Sequence, residues 1–198
     1  MSYDRQLMVQ KLQRWYRYAQ DYRLPDWESI PDFGLYMDQV VMLLGQYLGA
    51  VYAAGGEKDG VVTASTINNY VRLKLMPPPV KKKYGRQHIA CLIMILILKQ
   101  SLSITEIGRL LSGVGDASAM QALYVDFRDK LVLSQDNFCR RLQRLAAEAE
   151  LSERSADATA GNMIFDCALE VAFNALLAGK LAALDGQTAM PEQELPEE

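Results

Sequence analysis

Apolar side chains recur at alternating steps of four and three through Met8, Leu12, Trp15, Ala19 and Tyr22, with Lys11, Arg14, Arg17 and Asp21 between them. That period predicts an amphipathic helix, which Ser2 is placed to cap. Pro25, Pro31 and Gly34, with Asp26 and Ser29, interrupt it. A second, more apolar helix is expected from Leu35 to Ala54, stopped by Gly55 and Gly56, with residues 55–60 as a turn. A short polar helix follows over Thr63–Leu75 and ends at Pro77-Pro78-Pro79, whose fixed φ angles and missing N–H groups cannot continue it. Val80–Gly85 should be extended. The apolar run Ile89–Leu98 exceeds ordinary strand length and predicts a buried helix over Arg86–Lys99. Ser103 and Glu106 have the spacing of a capping box, which opens a helix running to Leu111 and closed by Gly113 and Gly115. Three further helices are expected, Asp116–Leu133, Ser134–Glu150 and Asp157–Leu184. Their packing positions are Leu142, Leu145, Ala149, Ile164, Leu169, Phe173, Leu176 and Leu177. From Asp185 onward, Pro191, Pro196 and five acidic residues mark a frayed tail.

With 198 residues of which 50% are hydrophobic, the chain has ample material for a core, which excludes a disordered polymer. The pattern is all-helical apart from one short wing. The longest apolar run, ten residues, falls short of the about 20 that a membrane-spanning helix needs. The N-terminus lacks the apolar core of a signal peptide. Cys91, Cys139 and Cys167 are odd in number and far apart, so a disulfide framework is not expected and a cytoplasmic protein is. His88 is the only histidine, which excludes a multi-histidine metal site and makes packing at the start of the buried helix its expected role. Without a P-loop, a dinucleotide fingerprint or a convergent catalytic set, the expectation is a non-enzyme holding neither metal nor cofactor. Trp15, Trp27, Tyr16, Tyr18 and Tyr22 would suit a pocket for a small-molecule effector, although core packing is the commoner reason for such a stripe.

Charge changes the picture. The net formal charge is only −3, but Gly60–Thr105 contains Arg72, Lys74, Lys81, Lys82, Lys83, Arg86 and Lys99 and no acidic residue. The remainder of the chain therefore carries −10. Segregation of this kind points to a polyanionic partner. Within the basic segment, Thr63, Ser65, Thr66, Asn68, Asn69, Tyr70, Arg72 and Lys74 decorate a helix whose apolar positions are only Ile67, Val71 and Leu75. Hydroxyl, amide and guanidinium groups are what contact phosphates and base edges, and Asn can read adenine in the major groove. Lys81-Lys82-Lys83 beside a rigid proline turn would clamp a phosphate backbone. The plainer alternative makes the lysines an ordinary solvated turn and the amides helix caps.

Thr66-Ile67-Asn68-Asn69-Tyr70-Val71-Arg72-Leu73-Lys74-Leu75-Met76-Pro77-Pro78 resembles the recognition helix and turn of the MerR-like winged helix-turn-helix regulators. Lys82 and Tyr84 match the Arg-x-Tyr of that family's wing, and Ile89, Leu92 and Ile95 its buried helix. Leu35-Tyr36-Met37-Asp38-Gln39-Val40-Val41, taken with Ile67-Asn68-Asn69-Tyr70 and Pro79-Val80-Lys81-Lys82-Lys83-Tyr84, resembles still more closely an uncharacterised bacterial family, domain of unknown function 1836 (DUF1836). That family is usually placed near the MerR-like regulators, and the resemblance covers roughly residues 24–130. Asn68-Asn69 stands where MerR proteins have Arg-Tyr, and Lys74 stands where they have a turn glycine. Lys74 must then end its helix without glycine's freedom.

The resemblance implies an all-α fold, with a MerR-like winged helix-turn-helix core at 24–115 that adds an N-terminal helix at 1–23. A C-terminal helical region at 116–184, packing on the core or dimerising, and an acidic disordered tail at 185–198 complete it. The function expected is a transcriptional regulator that binds double-stranded DNA and no membrane, with Thr63–Lys74 in the major groove and Lys81–Arg86 on the adjacent backbone. Asn68, Asn69 and Arg72 are the candidates for base contact. Ser65, Thr66, Tyr70, Lys74, Lys81, Lys82, Lys83, Tyr84 and Arg86 complete the expected DNA-contacting set with Thr63. Dimerisation through residues 134–184 is expected as well, since two half-sites multiply a weak contact. The alternative is a helical adaptor whose basic face holds an acidic protein or the chain's own tail, Glu192, Glu194, Glu197 and Glu198.

Overall fold

A computed structural model describes residues 2–53, 62–114 and 116–186. Seven helices account for these residues: α1 (Arg5–Asp21), α2 (Met37–Ala53), α3 (Ala64–Arg72), α4 (Arg86–Leu98), α5 (Ile104–Leu111), α6 (Ala117–Leu151) and α7 (Ala156–Ala182). A single 3-10 turn, Trp27–Ser29, lies between α1 and α2. Among the described residues there is no strand, only the isolated bridges Leu35 with Tyr84 and Val80 with Lys83. The all-helical expectation holds at this level. The turn expected at 55–60 and the tail beyond Gly186 lie outside the described residues.

The core is organised around α4. His88 through Leu96 are all buried, and around them pack Val40, Leu44 and Leu48 of α2, Ile67 and Tyr70 of α3, Ile107 of α5, and Met120 and Tyr124 of α6. An uninterrupted apolar run suits a helix that is covered on every side. Trp27 joins the same core, tilted against Tyr124 at 6.0 Å between ring centroids, and the Tyr124 hydroxyl donates to the Pro25 carbonyl at 2.8 Å. A smaller cluster forms where α1 crosses α6 and the start of α7, from Leu12, Leu142, Ala146, Ala149 and Met163. Arg5 ties that end together by donating to the Ala149 carbonyl at 2.9 Å.

Several local expectations need correction. Asp4, not Ser2, caps α1, accepting from the Leu7 N–H at 2.7 Å; a carboxylate one residue from the first turn is the better acceptor. The two helices expected to meet at Leu133 and Ser134 are one continuous helix, α6, because neither Gly nor Pro stands there to break the hydrogen-bond ladder. Trp15 is about half exposed and Tyr16 packs against the α1 cluster instead, since the face buried against α6 is narrower than the period implied. The aromatic residues considered for an effector pocket are dispersed: Trp27 belongs to the main core and Tyr18 is exposed. Ile164, Leu169, Phe173, Leu176 and Leu177, expected to pack, are all more than half exposed. α7 reaches the interior only through Thr159, Ala160 and Met163 near its start.

Candidate nucleic-acid interface

Helix α3 begins at Thr63, whose hydroxyl accepts from the Thr66 N–H at 3.2 Å and lies 2.9 Å from the Thr66 hydroxyl. Ile67 and Tyr70 turn inward. Ser65, Asn68, Asn69 and Arg72 therefore share the opposite face, where Arg72 Nη2 donates to Asn69 Oδ1 at 2.7 Å. This contact presets the guanidinium and the amide as one unit.

The end of α3 is a Schellman motif built without glycine. The Lys74 N–H donates to the Val71 carbonyl and the Leu75 N–H to the Tyr70 carbonyl, both at 3.0 Å, while Lys74 takes the left-handed conformation at φ +57°. The sequence expectation that this helix ends without that geometry is corrected: the geometry is present, imposed on a lysine. Buried Leu75 and Tyr70 form the apolar contact that accompanies such a cap, and their burial is what holds Lys74 in place.

Residues 80–85 are not simply extended. Val80 and Lys83 exchange both backbone hydrogen bonds, 3.1 and 3.0 Å, so that Lys81 and Lys82 form a two-residue hairpin tip with φ +51° and +63°. A tip with both central residues left-handed is a type I′ turn, the kind Asn-Gly forms most readily. Lys74, Lys81 and Lys82 are the only non-glycine residues with positive φ among those described. Each costs roughly 1–2 kcal/mol relative to an ordinary conformation.

Four contacts seat this hairpin on the core. Leu35 and Tyr84 exchange backbone hydrogen bonds at 2.8 and 2.9 Å. Gly34 faces the hairpin so closely that a Cβ there would lie 2.7 Å from the Cβ of Lys83. His88 Nδ1 accepts from the Gly85 N–H at 3.1 Å, leaving Nε2 to donate to the Pro78 carbonyl at 3.3 Å, an arrangement that assigns the tautomer. Cys91 donates to the Leu75 carbonyl at 3.6 Å, and burial pushes its thiol up to about 12, which keeps it protonated and unreactive. His88 and Cys91, considered only as packing residues in the sequence, thus hold the turn between α3 and α4. Gly34 is expected from the sequence only as a breaker of regular structure; its role as a seat is not signalled, because its partner lies 49 residues away in sequence.

Not every expected contact residue reaches the surface. Tyr70 and Tyr84 are each 3% exposed, their hydroxyl pKa values raised by burial, and Tyr84 packs edge-on against His88. They are core residues, since an aromatic ring beside Ile67 or Leu35 gains more from burial than its hydroxyl gains from solvent. Arg86 is engaged by the chain itself, donating to the Ile30 carbonyl at 2.8 Å, 4.0 Å from Asp32 and over the Trp27 ring. Thr63 and Thr66 spend their hydroxyls on the cap. Exposed and unpaired with any carboxylate among the described residues are Arg72, Lys74, Lys81, Lys82 and Lys83, with Lys83 lying over the Tyr36 ring at 5.3 Å.

The match to a family described as domain of unknown function (DUF1836) spans residues 25–127, just over half of the sequence. The chain belongs to the DUF1836 family. The matched region runs from the Pro25 that receives Tyr124 to Phe127 on α6, and so contains α2 to α5, the hairpin and the core around α4, but neither α1 nor α7. No curated protein matches the chain, and no solved structure does. Within the DUF1836 region and elsewhere among the described residues, no group of three or more His, Cys, Asp and Glu side chains is placed to hold a metal ion. Among the described residues, no helix is long and apolar enough to cross a membrane.

Proposed function

We propose that the chain is a DNA-binding transcriptional regulator of winged helix-turn-helix type, MerR-like in layout, with α2 and α3 as the paired helices and the Lys81-Lys82 hairpin as the wing. The observation that carries this reading is that left-handed backbone strain among non-glycine residues falls on three lysines, at the end of α3 and at the hairpin tip. Strained conformations persist where the surroundings enforce them, and they concentrate at functional sites. A solvated turn would be cheaper with Gly or Asn. What lysine adds is a cation held at a fixed position, and a phosphate backbone is the ligand that uses fixed cations.

In this reading Ser65, Asn68, Asn69 and Arg72 face the major groove, and Asn69 orients Arg72 toward a base edge. Lys74, Lys81, Lys82 and Lys83 grip phosphates on either side. Tyr70, Tyr84 and Arg86 support the surface from within. No acidic residue stands between Gly60 and Thr105 to repel DNA from that segment.

Fluorescence anisotropy against random duplex DNA over a range of salt concentrations tests it. Changing Lys81, Lys82 and Lys83 together to Ala should weaken binding to all sequences alike and reduce the salt slope by about three. Asn68→Ala or Arg72→Ala should cost about 1–3 kcal/mol on a selected site and relax its sequence preference. Parent-like binding by the triple variant at moderate salt would sink the reading.

A further inference from the structure

Exposed apolar surface gathers beside the lysine hairpin. Phe33 and Val80 are each 70% exposed and Tyr36 is 56% exposed. Leu35 and Tyr84 exchange both backbone hydrogen bonds and turn their side chains into the core. By the two-residue alternation of extended chain, their neighbours Tyr36 and Lys83 share the outer face, where Lys83 Nζ lies 5.3 Å from the Tyr36 ring centroid. Val80 pairs with Lys83 and so stands on the same side. Gly34 keeps that face open, since a Cβ there would collide with the stem of Lys83. Tyr36 is also fixed where α2 begins: its N–H donates to Gln39 Oε1 at 2.9 Å and its carbonyl accepts from the Val40 N–H at 3.0 Å. A tyrosine whose backbone is held has only two side-chain torsions left to lose when a ligand stacks on it.

We propose that this edge is a binding site for an unpaired polynucleotide, with Phe33 and Tyr36 stacking on bases and Lys81, Lys82 and Lys83 on the flanking phosphates. It rests on the reading of the hairpin as a phosphate clamp and adds a second ligand state to it. Charge and shape together select the occupant. The three lysines are unpaired with any carboxylate among the described residues, which calls for an anionic ligand. Of the acids alongside, Asp32 lies 4.0 Å from Arg86, and Asp38 sits in the first turn of α2, where the helix N-terminus offsets its charge. An acidic peptide supplies anions but no regular series of flat faces. A paired duplex supplies phosphates but keeps its base faces inside the stack. A single strand presents a phosphate and a base face at every nucleotide, the combination that cations interleaved with exposed rings can hold. Phe33 and Tyr36 are three residues apart, at most about 10 Å, so one short strand reaches both.

Fluorescence anisotropy with the full chain tests this, using labelled oligothymidine of roughly ten nucleotides, oligouridine of the same length and a fully paired duplex. The parent should bind the single strand. Phe33→Ala and Tyr36→Ala should each weaken that binding about tenfold while leaving duplex binding and helical circular dichroism unchanged. Tyr36→Phe should retain single-strand binding and Tyr36→Leu should lose it, because a flat ring and not bulk alone is what stacks. The same dependence with oligothymidine or with oligouridine supports the site and tells DNA from RNA as its source. Aromatic variants that bind the single strand like the parent overturn the site and leave the duplex reading standing, as does a parent that binds only the duplex. Ring-dependent binding of the single strand without duplex binding supports the site and sinks the duplex reading; binding of neither sinks both. A parent that ignores both single strands but binds phosphatidylserine vesicles through Phe33 and Tyr36 overturns the proposal and assigns this edge to an anionic lipid surface.

Discussion

Helices α4 and α7 are both rich in apolar residues, yet they occupy opposite situations. Nine of the 13 residues of α4 are buried, against three of the 27 in α7. Composition alone does not separate them; their neighbours do. α4 is encircled by α2, α3, α5 and α6, each presenting its own apolar stripe. α7 leans on one side of the molecule, touching α6 and α5, where Glu106 Oε1 comes so near Gly179 that a Cβ would lie 2.7 Å away. Hydrophobicity therefore states that a surface needs cover, and only the arrangement of elements says whether this chain supplies it.

The largest expected effect separates the two helices directly. Leu92→Ala in α4 should cost about 3 kcal/mol of unfolding free energy, from lost burial and the cavity left behind. Phe173→Ala in α7 should change the stability of the dilute monomer by less than about 0.5 kcal/mol. Equal losses in urea denaturation would mean that α7 is covered within its own chain. Thiol labelling sharpens the same contrast. Cys91, buried in α4 with its proton held, should react only upon unfolding, whereas the partly exposed Cys167 on α7 should react in the native protein.

Two helix ends extend the comparison on a smaller scale. Lys74→Gly relieves roughly 1–2 kcal/mol of left-handed strain but gives the unfolded chain about 0.4–1 kcal/mol of extra freedom. The net expectation is a gain of about 0–1.6 kcal/mol by thermal denaturation, accompanied by weaker DNA binding. A loss of stability would show that the lysine is not strained. The other end is the cap of α5, where the Ser103 N–H donates to Glu106 Oε2 at 2.7 Å and the Ser103 hydroxyl accepts from the Glu106 N–H at 3.3 Å. The bonds to Ser103, chiefly, and then nearby Arg109 hold the Glu106 carboxyl below its usual 4.5. Its folded value is depressed, so its contribution is fully present above pH 4.5 and fades as pH falls through the lower folded value. Ser103→Ala should raise the Glu106 value in a carbon-detected NMR titration; an unchanged value would assign the depression to the backbone N–H at position 103, which the variant keeps, and to Arg109.

How far the fold was legible follows from where its causes lie. The Ser103 cap and the burial of α4 were readable because both are set by residues a few positions apart or by an uninterrupted apolar run. The polar face of α3 was readable for the same reason. Tyr70 and Tyr84 were misplaced because an aromatic residue in a basic segment reads as surface until its distant neighbours are known. The hairpin tip was hidden because Lys-Lys is not a turn signal, and its left-handed backbone comes from pairing with Val80 and docking at Leu35. The family match reaches the region containing these elements and leaves their use to experiment.

Gly34 finally gives the hairpin a seat with no clearance. A methyl group introduced there would act as a wedge under Lys83, whose side-chain atoms are the three nearest to it. Gly34→Ala is thus a way to tilt the cationic tip while leaving the scaffold intact, which would uncouple grip from foldedness in a single substitution.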